Sequence, residues 1–600
     1  MLESQIQDEA AKQFVGDDGL PLSFERDNPF SFEQDAFVRT DYVSGAVLLS
    51  KELTLESPVG ASLGHQLMPL VDGAIAATLR QLDRQPDNPR VLINAAMVHL
   101  NAELFDEAES LFRRAQEVAP SDTAGYAGLA KLYGLQGRVD EAIREYEKLL
   151  RMCPEDATAM MNLAQLCIQA RQLKRADTLL EGVLRSDPGN VAAYNGRGIL
   201  RILRDDVSGA VLEFRRALAA DGRHAGIYSN LGVCYAFLGS HKKAERAFAT
   251  ALKLEPQNAS AIKASAEYFL RRSRPEKAIE LLAPYVRREE DDLRARVLLA
   301  KAYYLAKRLP ETAEQLVPAL RRAEEQGDHR ELAGILNNLG VVASAKGNTD
   351  KALELYQQAL KVDERQQIAL HNSASLLIEN GRSVEARKVL DQCLRFYPGD
   401  AKALALVACC HNLREEYGEA WVVLERAMAA DPYESGIFGP LTVILGEVEG
   451  DFRECVEHLR RGLKHHPRDL LIINNLAYAY LMVDEVITAR QLLDSIAQWP
   501  KVTDGSNARC LTATRGLLLL KEGSELEARR LYNLAAGGAR TLAQRLDVFR
   551  KRDLELARAA LEAGERKRAI RLLQASMRPG DTEAPFLSRQ SAALLASVEA

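Results

Sequence analysis

Residues Ala225–Asn258 read AGIYSNLGVCYAFLGSHKKAERAFATALKLEPQN, and the spacing of the small and large residues in this stretch decides the fold. Tyr228, Leu231, Gly232 and Tyr235 lie on one face at helical spacing. Gly239 breaks that helix, Ala244, Phe248 and Ala251 form the stripe of a second one, and Pro256 ends it. The result is one helical hairpin. Small residues sit where two helix backbones must approach to about 8–10 Å, and large ones fill the gaps between them. Ala244 is therefore a contact point between helices.

The same alanine recurs at a fixed step of 34 residues, as Ala74, Ala108, Ala142, Ala176, Ala210, Ala244 and Ala278. After a six-residue slip it returns as Ala352, Ala386 and Ala420. The hairpin that starts at Thr123 repeats the pattern with Tyr126, Leu129, Tyr133, Gly137, Ala142, Tyr146 and Pro154. A period this strict marks a stacked array with one elongated core, whatever the chain length.

These residues closely resemble the tetratricopeptide repeat (TPR) family, whose 34-residue helix-turn-helix carries an aromatic, a Leu-Gly pair, a Tyr, an Ala, a Phe and a Pro. In that register units start at Pro89, Thr123, Ala157, Val191, Ala225, Ala259 and Leu293, then at Ala333, Gln367, Ala401, Gly436 (with one extra residue), Leu470, Arg509 and Arg550. The match is weakest where Thr312 and Cys455 replace the alanine. The resemblance implies an all-α fold, an α-solenoid forming a right-handed superhelix of about fourteen TPR hairpins.

The organisation expected from this register has seven parts. Residues 1–54 are an acidic, Phe-containing cap or docking segment, and 55–88 a degenerate leading unit with Ala74 and Pro86 in phase. Residues 89–326 hold seven units, 327–332 an insertion read as a longer loop, and 333–469 the next four. Residues 470–583 hold three units with longer loops, one at 497–508 and another irregularity between Leu542 and Phe549, and 584–600 a helix covering the open end of the stack.

Composition narrows the function. The formal net charge of −6 over 600 residues gives no reason to expect nucleic acid or an acidic membrane as partner. The acidity is local, because residues 1–60 hold twelve acidic and four basic side chains. Among them stand Phe24, Phe30, Phe32 and Phe37, a composition that suits a static cap, a docking tail or a self-inhibiting peptide. The eight cysteines include no CxxC pair and suggest a reducing compartment. No apolar run approaches the ~20 residues of a membrane span and no secretory leader is evident, so a cytoplasmic location is expected.

Candidate binding residues come from the first helices. Asparagine stands at the sixth position in Asn94, Asn162, Asn230, Asn338, Asn372 and Asn475. A carboxamide donates and accepts, so it can satisfy the N–H and C=O groups of an extended peptide without demanding a side chain. The resemblance implies that first helices line the concave surface and that asparagines here hold a peptide backbone. The alternative is that they bond only to a neighbouring helix or to water. Lys263, Arg294 and Lys301 add cations on the same side, able to grip a carboxylate, or simply part of a solvated face of mixed charge. The family's carboxylate clamp is not intact, since Ala264 and Leu298 stand where asparagine is needed.

Catalytic chemistry finds no support. Cys409-Cys410-His411 are consecutive on a helix and point about 100° apart, so they do not meet at one metal. No HExxH, GxSxG, P-loop or GxGxxG motif stands in a strand-turn-helix setting. A non-enzymatic scaffold or adaptor binding a protein or peptide, with no cofactor and no metal, is the expectation. The alternatives are a regulatory subunit or sensor inhibited by its own acidic N-terminus and, by family analogy, an assembly factor of a bacterial secretion, pilus or polysaccharide machinery.

Overall fold

The computed structural model describes residues 75–599 apart from 77, 103, 328, 468, 497–505, 540–541 and 578–584. The acidic 1–54 segment, Ala74 and most of the 497–508 loop lie outside the described residues. Those that are described form an all-α solenoid of antiparallel helical hairpins with no strand among them. They divide into two compact units, one running through Ala306 and the other starting at Lys307. The first holds six hairpins, with first helices beginning at Pro89, Thr123, Ala157, Val191, Ala225 and Ala259, followed by the helix Leu293–Leu305. The second opens with the helix Leu309–Gln326 and continues through seven hairpins to the helix Pro585–Glu599. The boundary thus falls inside the seventh hairpin expected from the sequence.

Local chemistry accounts for the start of most first helices. An Asp or Asn precedes most first helices and accepts a backbone N–H at their open end, as Asn88, Asp122, Asp156, Asn190, Asn258, Asp292, Asp400 and Asp469 do. Packing then holds the hairpin. A Cβ on Gly198, Gly232 or Gly340 would stand 2.4, 2.6 or 2.5 Å from the ring of Phe214, Phe248 or Tyr356, so only glycine lets the second helix press its ring against the first. Ala244 is fully buried within the cluster of Leu231, Cys234, Phe248 and Tyr268.

Between hairpins, the second helix of one packs on the first helix of the next, and many first helices also touch the following first helix, as Ala225–Phe237 does Ala259–Arg271 and Leu470–Met482 does Ser506–Lys521, whereas no two consecutive second helices pack together to a comparable extent among the described residues. No described helix is long and apolar enough to cross a membrane, and all eight cysteines are free thiols.

Three local expectations are corrected. The slip at 327–332 is not a long loop: Leu309–Gln326 has 18 residues and His329–Ala345 has 17, against 14 and 13 in regular hairpins, so the insertion extends both helices. Helical hydrogen bonds satisfy the added backbone groups more completely than a loop would. The extra residue near Gly436 is taken up by winding, with a 3₁₀ turn at Ser435–Ile437, a short α-helix at Phe438–Leu441 and a π-helical stretch at Thr442–Val448. The irregularity expected between Leu542 and Phe549 is the start of the 21-residue helix Leu542–Glu562.

The turn inside each hairpin needs one residue in the left-handed region. Gly137 and Gly239 meet that need at φ 73° and 68°, while Arg171, Asp205 and Ser273 occupy the same place at 59°, 60° and 53°. A side chain there costs about 1–2 kcal/mol, and glycine's greater unfolded-state freedom offsets part of the relief. Arg171→Gly is expected to raise stability by about 0.5–1 kcal/mol. An unchanged or lower chemical-denaturation midpoint would contradict it.

Candidate functional site

Three of the six sixth-position asparagines, Asn230, Asn372 and Asn475, hydrogen-bond the preceding first helix. Asn230 Nδ2 donates to Asn195 Oδ1 at 3.0 Å, and Asn372 Nδ2 donates to Asn337 Oδ1 at 2.9 Å. Thr514 Oγ1 donates to Asn474 Oδ1 at 2.9 Å in the same relation. These are rungs in which the sixth residue of one first helix reaches back to the fifth residue of the preceding one. Asn475 Nδ2 donates to the Phe438 carbonyl at 3.2 Å. Asn162 hydrogen-bonds the Tyr146 hydroxyl, whose pKa burial pushes up to about 12 while the Asn162 bond opposes the rise.

Asn338 departs from the expectation. It has no accessible surface, and Asn337 Nδ2 donates to its Oδ1 at 3.3 Å. The helix that carries it, His329–Ala345, is lengthened to 17 residues. Asn94 is exposed, whereas Asn162, Asn230, Asn372 and Asn475 are half-buried.

The three cations also differ from a free basic patch. Lys263 Nζ lies 2.8 Å from Asp292 Oδ2, and Arg294 pairs with the buried Glu267 at 3.6 Å. Lys301 is half-buried on the helix that carries Arg294. Asp292 is itself a helix cap: its Oδ1 accepts from the Ala295 N–H at 2.9 Å, and Tyr285 donates its hydroxyl to Oδ2 at 2.8 Å. Burial raises the Asp292 pKa, but the Lys263 ammonium and these hydrogen bonds outweigh it and hold the carboxyl below its ordinary value. Lys263 therefore staples two successive first helices together. The physical reason is proximity, since a half-buried cation next to a buried carboxylate is satisfied within the chain.

Sequence reasoning missed a second cluster, within the C-terminal compact unit. Lys551, on Leu542–Glu562, places Nζ 2.9 Å from Glu447 Oε1, 2.6 Å from the Tyr478 hydroxyl and 3.6 Å from Glu555. Tyr478 also bonds Glu447, Gln590 donates to the Glu447 carbonyl at 3.3 Å, and Arg589 pairs with Glu415. Burial raises the Glu447 pKa, yet Lys551, Tyr478 and Gln590 bring it below the ordinary carboxylate value. The final helix thus reaches back 143 residues and packs beside the helices of the last hairpin as well. The partners lie 104 residues apart along the chain, so no short-range pattern announces them.

Cys409, Cys410 and His411 form no joint site: His411 is held between Glu416 and Arg387. Among the described residues one group brings metal-ligating atoms together, His371, Cys393 and Asp400.

Comparison with known proteins agrees with this architecture. The model of the Cilia and flagella-associated protein 70 C-terminal domain, a TPR domain, matches residues 56–335, and a tetratricopeptide repeat model matches residues 343–409. Tetratricopeptide repeat protein 8 of Caenorhabditis elegans is 28% identical over 153 residues, covering 25% of this chain and 30% of that protein. Human Protein O-mannosyl-transferase TMTC3 is 24% identical over 367 residues, covering 58% and 36%. The chain spans about a third of the length of these two relatives. Among solved structures, the APC/C hetero-tetramer Cut9-Hcn1 aligns over 93% of this chain and 96% of that one, at 13% identity and a TM-score of 0.49. The repeat models together match more than half of the chain and the ring-on-glycine contact recurs from hairpin to hairpin: the chain belongs to the tetratricopeptide repeat family.

Proposed function

We propose that the protein is a non-enzymatic scaffold that holds an extended segment of a protein partner along the first helices of its N-terminal compact unit. The observation that carries this reading is the repeated carboxamide, exposed at Asn94 and half-buried at Asn162 and Asn230, on first helices, which the family resemblance assigns to the concave surface. A carboxamide matches a peptide backbone group for group. The C-terminal compact unit offers less room, because Lys551, Arg589 and Gln590 occupy the inner face at Glu415, Glu447 and Tyr478. Electrostatic capture plays a small part, since Lys263 and Arg294 already neutralise carboxylates of this chain.

A photo-crosslinking residue at Gln165, on a first helix, is expected to trap the partner, while one at Glu181, on a second helix, is not. Asn94→Ala combined with Asn162→Ala should weaken binding by roughly 5- to 150-fold, the loss of two hydrogen bonds at about 0.5–1.5 kcal/mol each. Equal trapping at both positions, or unchanged affinity of the double variant, would refute the reading.

A further inference from the structure

We propose that His371, Cys393 and Asp400 form a binding site for a thiophilic divalent cation of the zinc class at the junction of two hairpins. The three come from different elements: the first helix Gln367–Glu379, the second helix Ser383–Phe396, and the residue that caps Ala401–Leu413. Their ligand atoms all lie within 4.8 Å of one another, with His371 Nε2 at 2.7 Å and Cys393 Sγ at 3.4 Å from Asp400 Oδ2. Zinc bonds of about 2.0–2.3 Å place tetrahedral ligands roughly 3.3–3.8 Å apart, so small side-chain shifts open the space.

Two features of the chain support a cation there. Asp400 Oδ1 is used by the helix cap, accepting from the Ala403 N–H at 2.9 Å, and three groups converge on Oδ2: Gln367 Nε2 at 2.6 Å, His371 and Cys393. One carboxylate oxygen has about two lone-pair sites, so the third contact is in surplus. A cation between them converts the crowd into ligands, with the Gln367 carboxamide turned to offer its oxygen, or a water, as the fourth.

The second feature is an internal comparison. Lys263, Tyr285 and Asp292 occupy the same three register positions, 108 residues earlier, which is three repeats plus the six-residue slip. There a fixed ammonium neutralises the capping aspartate at 2.8 Å. At the later junction the ammonium is replaced by an imidazole, charged only when protonated, and the phenol by a thiol. The Asp400 carboxylate and the Cys393 thiol are buried beside that imidazole. A divalent ion bound by the carboxylate, a thiolate and a neutral imidazole brings the net charge to zero. Burial and Asp400 push the Cys393 thiol up, so binding breaks its S–H bond, releases the proton to solvent and forms a metal–sulfur bond with no change of oxidation state. Thiolate with imidazole favours zinc over magnesium or calcium.

The test uses the full chain, stripped with chelator, kept reduced and titrated with Co²⁺. A near-ultraviolet thiolate-to-cobalt band is expected, displaced by Zn²⁺, and Zn²⁺ should raise the melting temperature. Cys393→Ser and His371→Lys should each abolish the band, while the Cys409→Ser, Cys410→Ser double variant keeps it. His371→Lys copies the Lys263 arrangement and is expected to fold, so loss of the band there is not a folding artefact. No band at several-fold excess of Co²⁺, or a band that survives in Cys393→Ser, overturns the site.

Discussion

Lys551→Ala is expected to destabilise the C-terminal compact unit by about 3–5 kcal/mol, the scale for removing one partner of a buried ion pair. Its ammonium serves Glu447, Glu555 and Tyr478 together, and both carboxylates are largely buried. Truncation leaves the Glu447 carboxylate without its cation beside Glu555, which keeps Arg558 at 2.9 Å, and a cavity where the side-chain stem had been. Because a repeat array unfolds by neighbouring segments, the loss should appear as faster amide exchange in Leu542–Glu562 and Leu470–Met482, with little change before Ala306. Lys551→Met with Glu447→Leu should recover a substantial part of the loss, since well-packed apolar groups replace such pairs at little cost. Unchanged exchange in Lys551→Ala would mean that the cluster contributes nothing.

Two carboxyls in separate clusters set a pH response. The native Glu447 and Asp400 carboxyls titrate below their ordinary values. Their contribution is complete above the unfolded-state pKa values of about 4 and is lost as pH falls through the native ones. Stability should therefore fall in acid and stay nearly level, as far as these groups go, from pH 5 to 8.

Ala244→Trp is expected to cost about 1–3 kcal/mol, and more if the backbone cannot shift. Ala244 is fully buried, and the space beside it is taken by Phe248, which packs on Tyr268 with ring centroids 5.4 Å apart. Gly232 is closed from the other side, where a Cβ would come within 2.6 Å of the Phe248 ring. An indole has nowhere to go except between the two helices, so neighbouring hairpins should loosen as well. Thermal unfolding identical to the parent chain would show that this alanine is not a helix-crossing contact.

Much of the candidate surface was legible in single residues, and its limits were not. The sixth-position carboxamides stand out at once because they repeat. Their partners do not, since Asn195 and Asn337 gain meaning only when the next first helix stacks above them. Asn338 carries the same sequence signal as Asn372, yet it is fully buried where Asn372 is half-buried. Lys263 and Arg294 were visible as cations, but not as cations already paired. The His371, Cys393 and Asp400 group escapes any short motif, because its members belong to three elements and meet through the stacking of hairpins.

The sequence by itself determined the hairpin, its 34-residue step and the all-α solenoid, because these depend on contacts between residues a turn or a helix apart and recur in every repeat. Tertiary structure alone decided how irregular segments were absorbed, which polar side chains were answered within the chain, and that Lys551, Arg589 and Gln590 return to Glu447 and Glu415. The reason is that local periodicity specifies a helix and its buried face, whereas contacts over a hundred residues depend on small rotations accumulated from one hairpin to the next. No single repeat encodes that sum.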